Sequence, residues 1–248
     1  MRPAATLVLA RDGASGMEVL LVQRGESGDF PGLHVFPGGL VDPGDADPRL
    51  CAASLRDAGS ASRLLAADDA LPFFVAAVRE SLEEVGVLLA EPVVAAAAGV
   101  RHWQRRLLAR ECSFAELVAD AGLRLATDRL GYLSHWITPA GIPRRYDTRF
   151  LVAGMPAGQE IAIDGREAVR ADWLTPQAAL DAQARGDIRL IFPTVRTLEM
   201  LAGFAGVASL LEHARQVRAV PVTLPKLVNR GSEGMRLLLP GDAGYDEA

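Results

Sequence analysis

Short runs of aliphatic residues, bounded by turn-forming residues, mark the candidate strands of this chain. Residues 6–10 and 18–23 are two such runs, and the Gly- and Asp-containing turn between them predicts a β-hairpin. Further runs of this kind lie at residues 130–138, 149–154, 160–163 and 168–174. The last two flank Asp164-Gly165, which predicts a second hairpin.

Helical periodicity is strongest over residues 73–89, and Gly86 would interrupt or cap this helix. Thr175 and Pro176 have the residue types of an N-cap and a first helical position. A longer helix is predicted from residue 194 to about residue 217. Weaker helical patterns occur at residues 101–125 and twice within residues 45–72. Because strands and helices mix without the regular alternation of a doubly wound sheet, the pattern predicts an α/β fold with a mixed sheet.

The helix at residues 73–89 gathers the carboxylates of Glu80, Glu83 and Glu84 on one stripe, at about 100° per residue. The opposite side is apolar and consists of Phe74, Val75, Val78, Leu82 and Val85. Like charges at this spacing repel, so a cation would stabilise the cluster. Carboxylate oxygens suit Mg²⁺ or Mn²⁺. On spacing alone, the alternative is a solvated acidic helix face.

The surrounding residues resemble the signature of the Nudix hydrolase family. Gly39 is followed by five residues and then Asp45, and Arg79-Glu80-Ser81-Leu82-Glu83-Glu84-Val85-Gly86 matches the second half at every charged and Gly position. The lead-in, residues 36–39, is Phe-Pro-Gly-Gly. The resemblance implies a Nudix-type α/β/α sandwich and metal-dependent hydrolysis of a diphosphate linkage in a nucleoside diphosphate joined to another moiety.

This chain departs from the family signature in three ways. Asp45 stands in place of the usual Glu, and Ser81 in place of an aliphatic residue. The gap between Asp45 and Arg79 is 33 residues where the family has seven. We therefore expect one Nudix domain over residues 1–248, with a helical insertion at residues 46–72 and a C-terminal helical extension at residues 190–248.

The long insertion resembles the branch of the family that includes the peroxisomal coenzyme A diphosphatases of animals. Shared features are the His-Val-Phe approach at residues 34–36, Trp136-Ile-Thr-Pro139 and Arg145-Tyr-Asp-Thr148. The resemblance makes coenzyme A or acyl-coenzyme A the leading substrate. ADP-ribose, a dinucleotide or a nucleotide sugar is the alternative, because residues 25–35 lack an Arg found in another group of coenzyme A hydrolases.

The resemblance also implies roles for individual residues. The expected catalytic carboxylates and metal ligands are Glu80, Glu83, Glu84 and Glu167, and the Gly39 carbonyl is a further candidate metal ligand. Glu167 is nominated because it precedes Trp173 by six residues, with Asp172 as the alternative. One carboxylate of the cluster would accept a proton from water. Arg79 is expected to orient the site by pairing with Glu83 at i+4.

Substrate contacts are expected from Arg24, Arg145, Gly38 and Tyr146. The arginines would bind phosphates through their forked donors, and Arg144 is a weaker candidate. For Arg144 and Arg145 the alternative is a solvated loop charge. The histidines His34 and His102 are read as surface or structural residues, and Trp136 more as a core residue than a base-stacking one.

Composition and charge exclude several other classes of protein. The net charge of −5 argues against nucleic-acid binding, including decapping. The longest apolar run near the N-terminus is too short for a signal peptide or a membrane span, which favours a cytoplasmic location without a membrane partner. Cys51 and Cys112 are too few for a Cys-based zinc site. A homodimer is possible, and a non-catalytic Nudix ligand sensor is the alternative outside enzymes.

Overall fold

Two long strands at the N-terminus, β1 (Arg2–Gly13) and β2 (Gly16–Arg24), form the predicted first hairpin. The structure is a computed structural model that describes residues 1–26, 31–92, 97–217, 219–229 and 235–247. The other strands are β3 (His34–Val35), β4 (Gly38–Leu40), β5 (Ala90–Glu91), β6 (Arg124–Leu125), β7 (Gly131–Ile137), β8 (Tyr146–Gly154), β9 (Ala168–Leu174), β10 (Val222–Thr223), β11 (Lys226–Asn229) and β12 (Met235–Leu238).

The helices separate these strands irregularly, as the sequence pattern predicts. They are α1 (Pro48–Ala53), α2 (Ala58–Leu65), α3 (Leu71–Val85), α4 (Ala97–Leu108), α5 (Phe114–Asp120), α6 (Pro176–Arg185), α7 (Phe192–Leu201) and α8 (Val207–Gln216). Short 3₁₀ helices lie at Pro43–Ala46 and Thr127–Arg129. Thr175 caps α6 as expected, because its hydroxyl accepts a hydrogen bond from the amide of Ala178.

Strand β1 lies at the centre of a mixed sheet, which among the described residues has eight strands. On one edge β1 pairs in parallel with β8, from Arg2↔Tyr146 to Ala10↔Gly154. On its other edge its first half pairs antiparallel with β4 and its second half with β2. The path continues as β10-β7-β8-β1-β2-β3, with β9 also paired to β2. The glycine-rich strand β4 is thereby joined to the middle of the fold.

The alternation of side chains along β1 supplies both faces of the core. Leu7 and Leu9 pack in the cluster that contains the apolar face of α3. Val8 and Ala10 point the other way, into the cluster that contains α7 and α8. The sheet is therefore covered on both faces, which confirms the predicted α/β/α sandwich with a mixed sheet.

The insertion at residues 46–72 is helical, as predicted, and forms α1 and α2. Leu50 and Leu65 from these helices are buried in the same cluster as α3. The insertion is therefore packed onto the domain core through its apolar residues.

The predicted hairpin at Asp164-Gly165 is wrong. Strand β9 pairs with β2 instead, and residues 160–163 form no strand. These residues bind the end of α3, because the amides of Ala162 and Asp164 donate to the carbonyls of Val85 and Glu84. The segment satisfies carbonyl groups that the end of a helix leaves without intrahelical donors.

The helix predicted from residue 194 to residue 217 is also wrong, because it is divided into α7 and α8. Gly203 and Gly206 fall at the break, where glycine disfavours helix. Asp12 accepts a hydrogen bond from the amide of Val207 at 2.9 Å, so a side chain of the first hairpin caps α8. The C-terminal extension is helical only up to Gln216, and β10, β11 and β12 follow.

Candidate active site

The charged face of α3 is organised around Arg79, which is buried. Its guanidinium forms a bidentate ion pair with Asp45, with Nε–Oδ1 and Nη2–Oδ2 distances of 2.8 and 2.9 Å. Asp45 is only 1% exposed and also accepts a hydrogen bond from the amide of Asp42. The insertion therefore leaves Asp45 next to α3, and this residue orients Arg79 rather than facing the cleft.

Arg79 also positions two of the glutamates. Its Nη1 lies 2.8 Å from Oε1 of Glu80 and 3.0 Å from Oε2 of Glu83. The second contact is the predicted i+4 pair, and the orienting role expected for Arg79 stays a prediction. Its Nη2 donates to the carbonyl of Leu40 and so connects α3 to β4.

Glu84 is the most enclosed of the three glutamates, at 3% exposed. Its Oε1 lies 3.0 Å from Nη1 of Arg24, and its Oε2 accepts a hydrogen bond from the amide of Gly38 at 3.0 Å. Burial and the charge of Glu80 raise the pKa of Glu84 to about 8, although Arg24 and Gly38 oppose this shift. A proton is therefore held more tightly on Glu84 than on an exposed glutamate.

Glu80 contacts the glycine turn from the other side. A methyl group added at Gly39 would lie 2.4 Å from Oε1 of Glu80, so it would fit only if the Glu80 carboxylate moved aside. Gly38 has a φ of +152°, and a methyl group there would lie 2.4 Å from the carbonyl oxygen of Ala5. Burial raises the pKa of Glu80 to about 7, with Arg79 opposing the shift and Glu83 adding to it.

Glu167 reaches this cluster through Arg24. Nη2 of Arg24 lies 3.3 Å from Oε2 of Glu167, which is 65% exposed at its side chain. The alternative, Asp172, pairs with Arg170 on the same strand at 2.7 Å and does not line the cleft. Arg24 thus bridges Glu84 and Glu167, two residues predicted separately from the sequence.

Asp164, which the sequence predicted only as a turn residue, binds the backbone around Glu167. Its carboxylate accepts hydrogen bonds from the amides of Arg166, Glu167 and Ala168 at 3.1, 2.9 and 2.7 Å. The Asp164-Gly165 dipeptide could have indicated this role, because aspartate in turns commonly accepts hydrogen bonds from amides a few residues ahead. Asp164 therefore fixes the backbone that carries Glu167.

A divalent cation fits the chemistry of this carboxylate set. Oxygen donors from Glu80, Glu83, Glu84 and Glu167 suit a hard cation. Burial is the main cause of the raised pKa of Glu80 and of Glu84, and it outweighs the opposing effect of the arginine paired with each. In the described part of the chain, no three acidic, His or Cys side chains converge as they stand on a point that would hold a metal ion. Arg79 or Arg24 contacts one oxygen of each of the four glutamates.

The carboxylates open into a cleft of about 1540 Å³. Glu80, Glu83, Glu167 and Arg24 are among its charged lining residues, with Gly38 and Gly39. The lining also includes a set of apolar side chains, here called the apolar wall: Trp136, Ile142, Phe192, Pro225, Leu227 and Leu237. The cleft can therefore contact a ligand that has both charged and apolar groups.

The predicted substrate contacts are distributed unevenly around this cleft. Tyr146 and Arg144 line it, whereas Arg145 lies outside the lining and donates from Nε to the carbonyl of Thr138. Trp136 is buried and packs edge-to-face against Phe192, at 5.9 Å between ring centroids. His34 is buried, which lowers its pKa, and lies outside the cleft lining, as does the exposed His102.

A helix long and apolar enough to cross a membrane does not occur in the ranges that the structure describes.

Two models of known protein families match this chain. The family model described as the NUDT19 Nudix domain matches residues 53–201, and the NUDIX domain model matches residues 1–53. Two similar relatives are acyl-coenzyme A diphosphatases NUDT19, from Gallus gallus and Homo sapiens. Each is 29% identical to this chain, over 99% and 94% of it and over 80% and 74% of their own lengths.

A solved structure of similar fold is the NUDIX hydrolase from Alicyclobacillus acidocaldarius. It has a TM-score of 0.68 and 28% identity, and it covers 86% of this chain and 96% of its own. This similarity agrees with the predicted fold.

Proposed function

Because the chain belongs to the NUDT19 Nudix domain family and is a Nudix hydrolase, we propose that it hydrolyses the diphosphate linkage of coenzyme A or acyl-coenzyme A. The observation that carries this proposal is the cleft, whose lining combines the carboxylate cluster with the apolar wall. A nucleoside diphosphate would contact the charged residues, and the pantetheine or acyl arm would contact the wall. The names of the two relatives support the same substrate class.

In this proposal Glu80, Glu83, Glu84 and Glu167 hold Mg²⁺ or Mn²⁺. When bound, the cation would neutralise charge on the diphosphate oxygens and lower the pKa of a water. Glu84 is suited to hold a proton, because burial raises its pKa to about 8. Arg24 and Arg144 line the cleft where they can bind phosphate oxygens. The cytoplasmic location and the homodimer stay predictions.

Glu84→Gln tests the carboxylate cluster. We expect kcat to fall by about a hundredfold or more, because the variant removes a charge and a proton acceptor while keeping the size of the side chain. Glu199→Gln is the matched control, since it makes the same change on an exposed glutamate of α7 that pairs with Arg196. Retained turnover by a folded Glu84→Gln enzyme would refute the assignment.

A substrate panel tests the proposed ligand. Coenzyme A, an acyl-coenzyme A, ADP-ribose, NADH and nucleotide sugars are compared by kcat/KM, and 3′,5′-ADP is measured as the product of the first two. We expect the coenzyme A thioester to rank highest. ADP-ribose or a nucleotide sugar ranking first, with no 3′,5′-ADP formed, would remove coenzyme A as the substrate.

The apolar wall has its own test in Phe192→Ala. Phe192 is 37% exposed and lines the cleft, so its removal should raise KM for acyl-coenzyme A about tenfold with a smaller effect on ADP-ribose. Val222→Ala is the control, because Val222 is 48% exposed and lies outside the cleft. Equal effects on both substrates would show that the wall does not contact the acyl arm.

A further inference from the structure

A second cavity, of about 490 Å³, lies where α2 approaches α8 and the start of β7. Its described lining shares no residue with the active-site cleft. Four arginines line it, with one carboxylate, Asp128. The arginines are Arg56, Arg63, Arg129 and Arg215. Since the whole chain carries a net charge of −5, this concentration of positive charge is local.

Arg56 is the fixed cation of this cavity. Its guanidinium donates to the carbonyls of Thr127, Asp128 and Leu130 and lies over the ring of Phe74 at 4.6 Å. These acceptors are neutral carbonyls, so none of them neutralises the charge of the guanidinium. Nη1 makes only a 3.5 Å contact with the hydroxyl of Ser60. Because a guanidinium has five N–H groups, this nitrogen can still donate to a ligand.

The other three arginines are exposed and can turn toward an occupant. Within the ranges that the structure describes, Arg63 makes no ion pair. Arg215 pairs with Glu212 at 3.5 Å, and Arg129 pairs with Glu91. Exposed pairs of this kind contribute little to stability, so exchange for a ligand anion costs little.

The rest of the lining is largely apolar and includes Leu64, Leu130, Leu211, Ala214 and Val217. A volume of about 490 Å³ falls within the range of small-molecule sites. Phe74, beneath Arg56, precedes Glu84 by ten residues on α3, which separates the two sites by about 15 Å along the helix. The cavity is therefore a separate site and not an extension of the cleft.

We propose that this arginine pocket, defined by Arg56, Arg63, Arg129 and Arg215, binds a small phosphorylated organic anion of nucleotide size. The arginines would bind the phosphate oxygens, and the apolar residues would contact the organic group. The pocket is formed by the insertion, the C-terminal extension and residues 128–131 at the start of β7. The proposal does not depend on the substrate of the active site.

The probe is ADP, titrated into the full-length protein by isothermal calorimetry with EDTA present, and adenosine serves as the phosphate-free comparison. We expect ADP to bind and the double variant Arg63→Ala/Arg215→Ala to weaken its Kd by about tenfold or more. Adenosine should not bind measurably. Both substitutions replace exposed side chains, and circular dichroism verifies the fold.

Two control variants make the result decisive. Arg185→Ala removes an exposed arginine paired with Asp187 on the surface and should change the Kd by less than about twofold. Arg24 lines the active-site cleft, so Arg24→Ala tests whether the measured ADP binds there. This variant should also leave the Kd for ADP unchanged. The proposal is overturned if ADP does not bind the wild-type protein. Loss of binding in Arg24→Ala but not in the double variant would also overturn it.

Discussion

At the scale of single residues, the site depends on two arginines that pair with six carboxylates among the described residues. Arg79 pairs with Asp42, Asp45, Glu80 and Glu83, and Arg24 pairs with Glu84 and Glu167. The spacing within α3 was enough to predict the Arg79–Glu83 pair. Asp45 lies 34 positions away in the sequence, so its contact with Arg79 depends on how the insertion packs.

Arg79→Ala should lower the free energy of unfolding by about 3 kcal/mol or more, because it leaves the buried carboxylate of Asp45 unpaired. Arg49→Ala is the matched control, since it breaks an arginine–aspartate pair with Asp47 that is exposed to solvent. Urea unfolding of both variants gives the comparison. Equal destabilisation of the two proteins would contradict a special role for burial at Asp45.

At the scale of elements, the glycine strand β4 joins the acidic helix to the sheet. A methyl group added at Gly38 would meet the backbone of β1, whereas one added at Gly39 would meet the carboxylate of Glu80. Substitution at the two positions should therefore have different consequences for stability and for turnover.

Gly38→Ala should lower the free energy of unfolding by about 2 kcal/mol or more, because its φ is positive and the backbone of β1 cannot move away easily. Gly39→Ala should retain more stability but lose kcat, because the added methyl group displaces the side chain of Glu80. Thermal unfolding and steady-state kinetics separate these effects. Gly44→Ala is the control, since a methyl group there meets no atom within 4 Å. Identical behaviour of the Gly38 and Gly39 variants would contradict this distinction.

The elements also show how far the sequence pattern was informative. The first hairpin, α3 and the N-cap of α6 were predicted because their signals are local. The partner of β9 was not, because it is the distant strand β2 rather than the neighbouring segment. The break between α7 and α8 depends partly on Asp12, nearly 200 residues away. Long-range hydrogen bonds of this kind leave no periodic signal in the sequence.

At the scale of the whole molecule, we expect the buried carboxylates to make the free energy of unfolding depend on pH and on divalent cations. The pKa of Glu84 is about 8 and that of Glu80 about 7 in the folded protein, against 4.5 for an unperturbed group. The folded state therefore binds these protons more tightly than the unfolded state. The contribution of these protons to the free energy of unfolding is fully present below about pH 4.5 and is lost as the pH rises through 7 and 8.

In EDTA, the Tm of the wild-type protein should fall between pH 6 and pH 8.5 by more than the Tm of Glu84→Gln, whose amide does not titrate. Mg²⁺ or Mn²⁺ should raise the wild-type Tm more at pH 8.5 than at pH 6, because the cation competes with protons for the same oxygens. Differential scanning fluorimetry measures both effects. A wild-type pH dependence no greater than that of Glu84→Gln would contradict this account.

The parallel pairing of β1 with β8 has a consequence for how the protein is made. Thr6 pairs with Phe150, so 143 residues must be synthesised between two residues that become adjacent in the sheet. A nascent chain that ends before Tyr146 has β1 and β2 but lacks the central partner of β1, and its apolar edge is open to other chains. We expect early translation products to depend on chaperones, and hydrolase activity to appear only after β8 has emerged from the ribosome.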